Sequence, residues 1–173
     1  MAAFSFCPRC GAPLARNRAA PHAPQACAAC GTTHYHNSKP CAGAVILHDG
    51  CVLLGQRAVE PHRGDWDIPG GFLEPGEHPR AGAHREVKEE TGLEVALDAE
   101  PFAILIDYYG HGDEGDYTLN IYYLGHVIDG EPRPADDVAA LSWFSLEALP
   151  ANLAFPHCRE LLRRLAETLA RPE

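Results

Sequence analysis

The sequence has no long apolar run and no secretion signal. No stretch approaches the roughly 20 apolar residues that span a bilayer, and the opening MAAFSFCPRC lacks a basic segment followed by an apolar one. We therefore expect a soluble, cytoplasmic protein without a membrane partner. Hydrophobic residues make up 46% and charged residues 22%, a globular composition, and 173 residues suffice for one domain with a small appendage.

Basic residues are scarce beside acidic ones. The chain has 14 Lys and Arg against 24 Asp and Glu, a formal net charge of -10. This balance argues against a protein that grips nucleic acid over its whole surface, so no nucleic-acid partner is expected. A phosphate ligand would also be repelled unless cations lay between it and the carboxylates. If the ligand is a phosphate ester, the charge balance favours a metal-bridged site.

Two C-x-x-C pairs supply four of the seven cysteines: Cys7, Cys10, Cys27 and Cys30. Without a secretion signal, such pairs indicate zinc rather than disulfides. Gly11 and Gly31 follow the pairs and permit the positive φ of a tight turn. Since a closed four-thiolate site has no open position for chemistry, we expect a structural zinc ribbon over residues 1–40.

Other ligands remain an alternative in this segment, because His22, His34 or His36 could replace one cysteine. The three remaining cysteines are predicted to be small buried apolar side chains: Cys41, Cys51 and Cys158.

Residues 41–173 have the pattern of a mixed α/β domain. Strands are predicted at 42–47, 51–54, 66–68, within 95–109, at 117–127 and at 141–144, and helices at 79–91 and 157–170, with a helical turn at 146–149. Pro79 and Gly92 mark the ends of the first helix. The last helix has an apolar face formed by Leu161, Leu162, Leu165 and Leu169. This order predicts an α/β or α+β sandwich.

The first helix carries a glutamate cluster that folding alone does not favour. Glu86, Glu89 and Glu90 can project from one side, although like charges at this spacing destabilise a helix and its last turn disfavours anions. A divalent cation such as Mg²⁺ resolves the conflict. Arg85 can pair with a neighbouring glutamate and fix its rotamer, and Glu77 lies just ahead of the helix.

The segment 71–93, GFLEPGEHPRAGAHREVKEETGL, matches every fixed position of the Nudix box, G-x5-E-x7-R-E-U-x-E-E-x-G-U with U apolar. The chain resembles the Nudix hydrolases over residues 41 to 150. The resemblance implies an α/β/α sandwich with a mixed sheet, in which the box forms a loop–helix–loop. One departure is Gly82, where the family usually has alanine. We expect it to reflect close packing on the sheet.

The resemblance also implies the roles of the site residues. Mg²⁺ or Mn²⁺ would be held by Glu86, Glu89 and Glu90, assisted by Glu77 and the backbone carbonyl of Gly71, while Arg85 orients the glutamates. The ions would clamp a diphosphate and activate a water whose proton passes to Glu86 or Glu89. In some members the base lies outside the box, and here the alternatives are Asp113, Glu114 and Asp116, then Asp136 and Asp137.

The order of ribbon, linker and Nudix domain resembles ADP-ribose or FAD pyrophosphatases and, more distantly, NADH pyrophosphatases. The downstream motif of the latter group is absent beyond Pro101-Phe102. We therefore expect hydrolysis of ADP-ribose or FAD, releasing AMP. The alternatives are an NADH or dinucleoside polyphosphate pyrophosphatase, or a non-enzymatic nucleotide sensor whose ribbon binds a partner.

Aromatic residues near the box are candidates to contact the nucleotide: Phe72, Tyr108 and Tyr109. The segment Asn152–His157 is a further candidate to line the cleft. A homodimer is expected only by analogy with relatives.

Overall fold

The computed structural model describes residues 4–15, 19–20, 23–111 and 115–170. Its elements, in chain order, are β1 (Gln25–Ala26), β2 (Thr33–His34), β3 (Lys39–His48), β4 (Cys51–Arg57), β5 (Trp66–Asp67), β6 (Gly70–Phe72), α1 (Pro79–Thr91), β7 (Glu94–Leu97), β8 (Ala103–Tyr109), β9 (Asp116–Asp129), β10 (Val138–Ser145) and α2 (Pro156–Leu169). Within these described ranges, neither helix has the length and apolar character needed to span a membrane.

Strands β3 to β10 form one mixed sheet. Its central order is β10-β4-β3-β9-β7, with β5 added to β4, β6 to β3 and β8 to β9. β3 and β9 run parallel, and the other pairs are antiparallel. A two-residue turn, Asp49-Gly50, with positive φ at both residues, joins β3 to β4 as a tight hairpin requires.

Each face of the sheet is covered by one helix. Because side chains alternate along a strand, β3 sends Ala44 and Ile46 to one face and Val45 to the other. On the first face Ala83 and Val87 of α1 pack in one apolar cluster with β3. On the second face three fully buried leucines of α2 complete the other cluster, namely Leu161, Leu162 and Leu165. The result is the expected α/β/α sandwich.

The helix α1 has the predicted bounds, and the predicted hairpin is present with longer strands. The prediction of a strand within 95–109 is confirmed, and a second strand is also present, so that the segment contains β7 and β8. Two predictions need correction. Residues 70–72, expected to be a loop, pair with β3 as β6. Leu169 is 59% exposed rather than on the buried face of α2, because it lies in the last turn of the helix.

The N-terminal segment folds as two similar cysteine turns beside the short β1–β2 ladder. In each turn a glycine N–H donates to the first cysteine carbonyl, Gly11 to Cys7 at 2.8 Å and Gly31 to Cys27 at 2.9 Å. Both glycines have positive φ, 75° and 72°, as predicted. The apolar cluster here is small, with Leu14 packed between the cysteines. The boundary between this segment and the second domain, near residue 40, remains a prediction.

Candidate active site and cysteine cluster

Local signals fix the helix that carries the glutamates. The His78 side chain caps the start by accepting the N–H of Arg80 at 3.2 Å, and Pro79 occupies the first turn. The end is closed by Gly92, whose φ of 72° suits glycine and whose N–H donates to the Lys88 carbonyl. The box helix is therefore held at both ends before any metal is considered.

Two of the three glutamates are buried. Glu86 is 9% exposed and Glu90 is 6% exposed. Burial raises the pKa of Glu86 above its ordinary value, and the Arg85 guanidinium only partly offsets that. The pKa of Glu90 is raised well above its ordinary value by burial and then by the charges of Asp137 and Glu86. The protein alone thus leaves these carboxylates short of positive charge.

Arg85 connects the glutamates of the box. Its guanidinium donates to both carboxylate oxygens of Glu77 at 2.9 Å, to Glu86 at 2.8 Å and to Glu89 at 2.9 Å. The bidentate hydrogen bonds from Arg85 lower the pKa of Glu77 to about 2. One cation therefore positions three carboxylates, whereas Glu90 is held separately by the Gly70 N–H at 2.9 Å.

Two glycines make room for this arrangement. A Cβ on Gly71 would lie 2.7 Å from the Glu86 carboxylate. A Cβ on Gly82 would clash with Leu73 Cδ2 and lie 2.9 Å from Glu77 Oε2. The close packing at Gly82 is thus against the loop that precedes the helix, not against the sheet as expected. Gly82 offsets its helix-propensity cost of about 1 kcal/mol by letting Leu73 and Glu77 approach.

A pocket opens beside Gly70 and Gly71, between the box and α2. It encloses about 600 Å³, counting its open mouth. Its walls include aromatic side chains, and its floor is polar. A smaller adjoining cavity is lined by Glu90 together with Asp67 and Asp137. A ligand in the pocket would therefore meet both carboxylates, Asp67 and Asp137, and aromatic rings.

Two of the three aromatic candidates line this pocket. Phe72 and Tyr109 are in edge-to-face contact there, with ring centroids 5.5 Å apart. Tyr108 is not among the lining residues; its hydroxyl accepts the Gly115 N–H at 2.7 Å and its ring contacts Tyr117. Phe155, from the candidate segment Asn152–His157, stacks on Tyr109 at 5.7 Å. Phe72 and Tyr109 thus stand at the pocket and Tyr108 does not, and contact of any of them with a nucleotide stays a prediction.

The candidate bases outside the box differ in whether they line the pocket. Asp113 and Glu114 lie outside the described residues. Asp116 forms an ion pair with Lys39 at 2.7 Å and does not line the pocket. Of the weaker pair, Asp137 lines the pocket and Asp136 does not.

Sequence reasoning missed a cation on the pocket wall. Arg57 donates to Asp67 at 3.2 Å and to the Tyr109 hydroxyl at 3.2 Å. Its guanidinium lies over the rings of Tyr109 and Phe155, 5.7 and 5.2 Å from their centroids. An arginine at the end of an otherwise apolar strand was the available signal.

A polar network under the pocket was also missed. Asp107 accepts His157 Nδ1–H at 2.8 Å, and the opposite ring nitrogen, Nε2, accepts the Tyr122 hydroxyl at 2.6 Å. The Cys158 thiol donates to Asp67 Oδ1 at 2.8 Å. The prediction for Cys41 and Cys158 as buried side chains is confirmed, although Cys158 is hydrogen-bonded; Cys51 is only half-buried.

The four N-terminal cysteines converge. Their sulfur atoms all lie within 4.8 Å of one another, and two pairs, Cys7–Cys30 and Cys10–Cys27, are 3.7 and 3.6 Å apart. Four sulfurs at about 2.3 Å from one zinc ion stand roughly 3.8 Å apart, so the cluster is compatible with zinc. His34 Nε2 is 3.2 Å from Cys7 Sγ, and His36 bonds Gln25 instead. His22 lies outside the described residues.

The sandwich fold and the carboxylate cluster at a pocket define a hydrolase of phosphorus-containing anhydrides. The NUDIX domain model matches residues 37–165, and the chain belongs to the Nudix family. It is a Nudix pyrophosphohydrolase acting on small nucleotide substrates, and Nudix enzymes generally use Mg²⁺ or Mn²⁺. The hypothesis of a non-enzymatic sensor is thereby set aside.

Named relatives differ in substrate. An ADP-ribose pyrophosphatase of Methanocaldococcus jannaschii is 35% identical over 115 residues, covering 65% of this chain and 64% of that protein. A candidate 8-oxo-dGTP diphosphatase of Mycobacterium tuberculosis is 37% identical over 134 residues, covering 74% of this chain and 87% of that protein. The NAD-capped RNA hydrolase NudC of Stutzerimonas stutzeri is 31% identical, covering 97% of this chain and 58% of that protein.

A solved NUDIX hydrolase from Nitrosomonas europaea has the same fold over nearly the whole chain. Its TM-score is 0.79 at 26% identity, covering 98% of this chain and 95% of that one.

Proposed function

We propose that this protein hydrolyses the pyrophosphate bond of a nucleoside diphosphate linked to a second group, with ADP-ribose or FAD as the substrate and AMP as a product. The observation that carries the proposal is a pair of buried carboxylates beside an aromatic-walled pocket. Glu90 lines the cavity that adjoins the pocket, and the Glu86 carboxylate packs against Gly71, which lines the pocket itself. The M. jannaschii relative named as an ADP-ribose pyrophosphatase favours this substrate class.

The donor set fits a hard divalent cation. Glu77, Glu86, Glu89 and Glu90 supply carboxylate oxygens, and Gly71 supplies a backbone carbonyl beside them, which are the ligands that Mg²⁺ and Mn²⁺ prefer. The pKa values of Glu86 and Glu90 are raised mainly by burial, which Arg85 offsets only in part at Glu86. When bound, such ions neutralise the diphosphate oxygens and make a water more acidic.

The remaining steps belong to the protein. Arg85 holds Glu77, Glu86 and Glu89 in fixed rotamers, as catalysis at a defined geometry requires. Glu86 is the first candidate to accept the proton of the attacking water, because its carboxylate is buried beside Gly71, which lines the pocket. Glu89, half exposed and bonded to Arg85, is the second.

The pocket walls suit a nucleotide. Phe72, Tyr109 and Phe155 offer ring faces and edges for stacking an adenine or flavin. Arg57 adds a fixed positive charge in an otherwise acidic domain and can meet a phosphate. Both products of ADP-ribose cleavage, AMP and ribose 5-phosphate, are anions that such a pocket can release once the bridging bond is broken.

Glu90→Gln tests the catalytic proposal. The amide keeps an oxygen for the Gly70 N–H but removes the charge, so we expect Mg²⁺-dependent turnover to fall on the order of 10³-fold, several kcal/mol of transition-state stabilisation. Glu100→Gln, on an exposed loop, is the matched control and should retain activity. Unchanged turnover in Glu90→Gln would refute the assignment of the metal site.

A substrate panel tests the finer proposal. ADP-ribose, FAD, NADH, diadenosine polyphosphates and 8-oxo-dGTP are incubated with Mg²⁺ or Mn²⁺, and AMP, FMN and pyrophosphate are quantified. The highest kcat/KM should fall on ADP-ribose or FAD. A preference for another member would replace the substrate while leaving the Glu90→Gln result intact.

We also propose that one structural zinc ion is bound by Cys7, Cys10, Cys27 and Cys30. Support comes from the sulfur separations of 3.6 and 3.7 Å, which match a tetrahedral thiolate site. His34, whose Nε2 lies beside Cys7 Sγ, is then a hydrogen-bonding neighbour of the site rather than a ligand.

A further inference from the structure

A third group of side chains that could hold a metal ion lies at the pocket, besides the box glutamates and the cysteine cluster. Asp67, His157 and Cys158 each bring one ligand atom to within 4.8 Å of the others. His157 is 8% exposed and Cys158 is fully buried. The three come from two distant parts of the chain, the loop-entry strand β5 and the start of α2.

The spacing of these atoms fits a small tetrahedral ion. Zinc lies about 2.3 Å from sulfur and about 2.0 Å from nitrogen and oxygen, so its ligands stand roughly 3.3–3.6 Å apart. Cys158 Sγ and His157 Nε2 are 3.5 Å apart. Cys158 Sγ and Asp67 Oδ1 are 2.8 Å apart, so the carboxylate has to move by roughly 0.7 Å to reach that range.

The histidine is already oriented as a ligand. Asp107 accepts both the His157 backbone N–H at 3.0 Å and Nδ1–H at 2.8 Å. Because an ionised carboxylate only accepts, Nδ1 carries the proton and Nε2 presents its lone pair to the cluster. Metal-bound histidines commonly have such a carboxylate partner. The Tyr122 hydroxyl now donates to Nε2 at 2.6 Å, so an ion bound to Nε2 displaces this hydrogen bond.

The carboxylate is oriented as well. Arg57 binds Asp67 Oδ2 at 3.2 Å, and the Ile68 N–H and the Cys158 thiol both donate to Oδ1. One oxygen is therefore held by the guanidinium while the other faces the sulfur. Arg57 also offsets part of the negative charge that a bound thiolate would add.

We propose that Asp67, His157 and Cys158 form a zinc site in the floor of the pocket, distinct in chemistry from the box. An oxygen, nitrogen and sulfur set favours zinc or cobalt, whereas the all-oxygen glutamate cluster favours magnesium or manganese. Binding replaces the thiol proton with the metal and releases that proton to solvent. Because Asp67 and His157 line the pocket, an ion there obstructs the nucleotide.

Cobalt spectroscopy tests the site directly. Full-length protein with zinc retained in its cysteine ribbon is titrated anaerobically with Co²⁺. We expect a thiolate-to-cobalt charge-transfer band that saturates at one cobalt per chain, with intense visible bands typical of tetrahedral coordination, since cobalt held by the box glutamates has no thiolate ligand. Cys158→Ser should lose the charge-transfer band, and the matched control Cys51→Ser should retain it. Asp107→Asn should weaken cobalt binding about 10–100-fold.

Melting temperatures verify that each variant is folded. No thiolate band in the native chain, or a band that persists in Cys158→Ser, would overturn the proposal. The second outcome assigns the cobalt to the cysteine ribbon.

Inhibition provides a second readout, which rests on the proposed function. Added Zn²⁺ should reduce Mg²⁺-dependent turnover of the native chain, and Cys158→Ser should resist this inhibition. Each protein is compared with its own rate before Zn²⁺ is added. Equal inhibition of both proteins would contradict the obstructing role. If no substrate is turned over but the cobalt band depends on Cys158, the proposed function fails and the metal site stands.

Discussion

The cysteine ribbon and the Nudix domain differ in the size of the apolar clusters that can stabilise them. The ribbon has an apolar cluster of a few small side chains around Leu14, whereas the domain buries an extensive apolar cluster on each face of its sheet. Segments this short usually need a metal or disulfides to fold. We therefore expect the stability of the ribbon to depend on its four thiolates and that of the domain to depend on apolar burial.

The two regions also differ in net charge. Residues 1–40 contain four basic and no acidic residues, while residues 41–173 contain 10 basic and 24 acidic residues, a formal net charge of -14. The excess of carboxylates is concentrated in the part of the chain that has the glutamate cluster. On the proposed metal assignments, a cation is required for folding in the N-terminal region and for the reaction in the domain.

Removing zinc should separate the two regions most clearly. The binding energy of a structural zinc site is roughly 10–16 kcal/mol and is not available to the ribbon by other means. After chelation at neutral pH, we expect amide hydrogens of the β1–β2 segment to exchange fast while those of β3, β4 and β9 stay protected. Hydrogen exchange with mass spectrometry on the full chain measures both.

Readdition of zinc should restore protection, which distinguishes loss of metal from irreversible damage. The dependence on zinc is wrong if the ribbon stays protected in metal-free protein.

Leu161→Ala should weaken the domain without affecting the ribbon. Leu161 is fully buried under the sheet, and deleting such a side chain costs about 2–5 kcal/mol, largely through the cavity left behind. Urea denaturation, read by tryptophan fluorescence, gives the free energy of unfolding. Zinc content should remain at the native level.

Leu169→Ala is the matched control on the same helix. Leu169 is 59% exposed, so its truncation should change the free energy of unfolding by less than about 0.5 kcal/mol. Equal losses in the two variants would mean that α2 does not pack as described.

The contrast between Leu161 and Leu169 also shows what sequence reasoning could reach. Both fit the same helical period, and only the extent of the sheet beneath α2 decides which is buried. The bounds of α1 were predictable because Pro79 and Gly92 are local signals. The division of 95–109 into β7 and β8 was not, because both strands are defined by pairing with β9.

The candidate site likewise has one part that the sequence could predict and one part that it could not. The box residues lie within 23 consecutive positions, so their spacing on one helix could be read directly. The pocket floor joins residues far apart in the chain, such as Asp107 and His157, which are 50 positions apart. No local pattern predicts that contact. Of the adjacent Tyr108 and Tyr109, only Tyr109 lines the pocket, because neighbouring residues on a strand point to opposite faces of the sheet.

The smallest expected effect is that of a surface charge on the domain. Glu160 accepts hydrogen bonds from Arg163 and Arg164 on the exposed side of α2, and these bonds, Arg163 first, lower its pKa from 4.5 to about 2. A lowered folded-state pKa stabilises the protein above pH 4.5, and the contribution is lost as the pH falls toward 2. Glu160→Gln should therefore lower the melting temperature slightly near neutral pH, with a difference that shrinks on acidification and in high salt. A melting-temperature difference that grows as the pH falls would contradict this ion pair. A small, salt-sensitive difference is the expected result, because surface charge adds little to a domain that is stabilised by apolar burial.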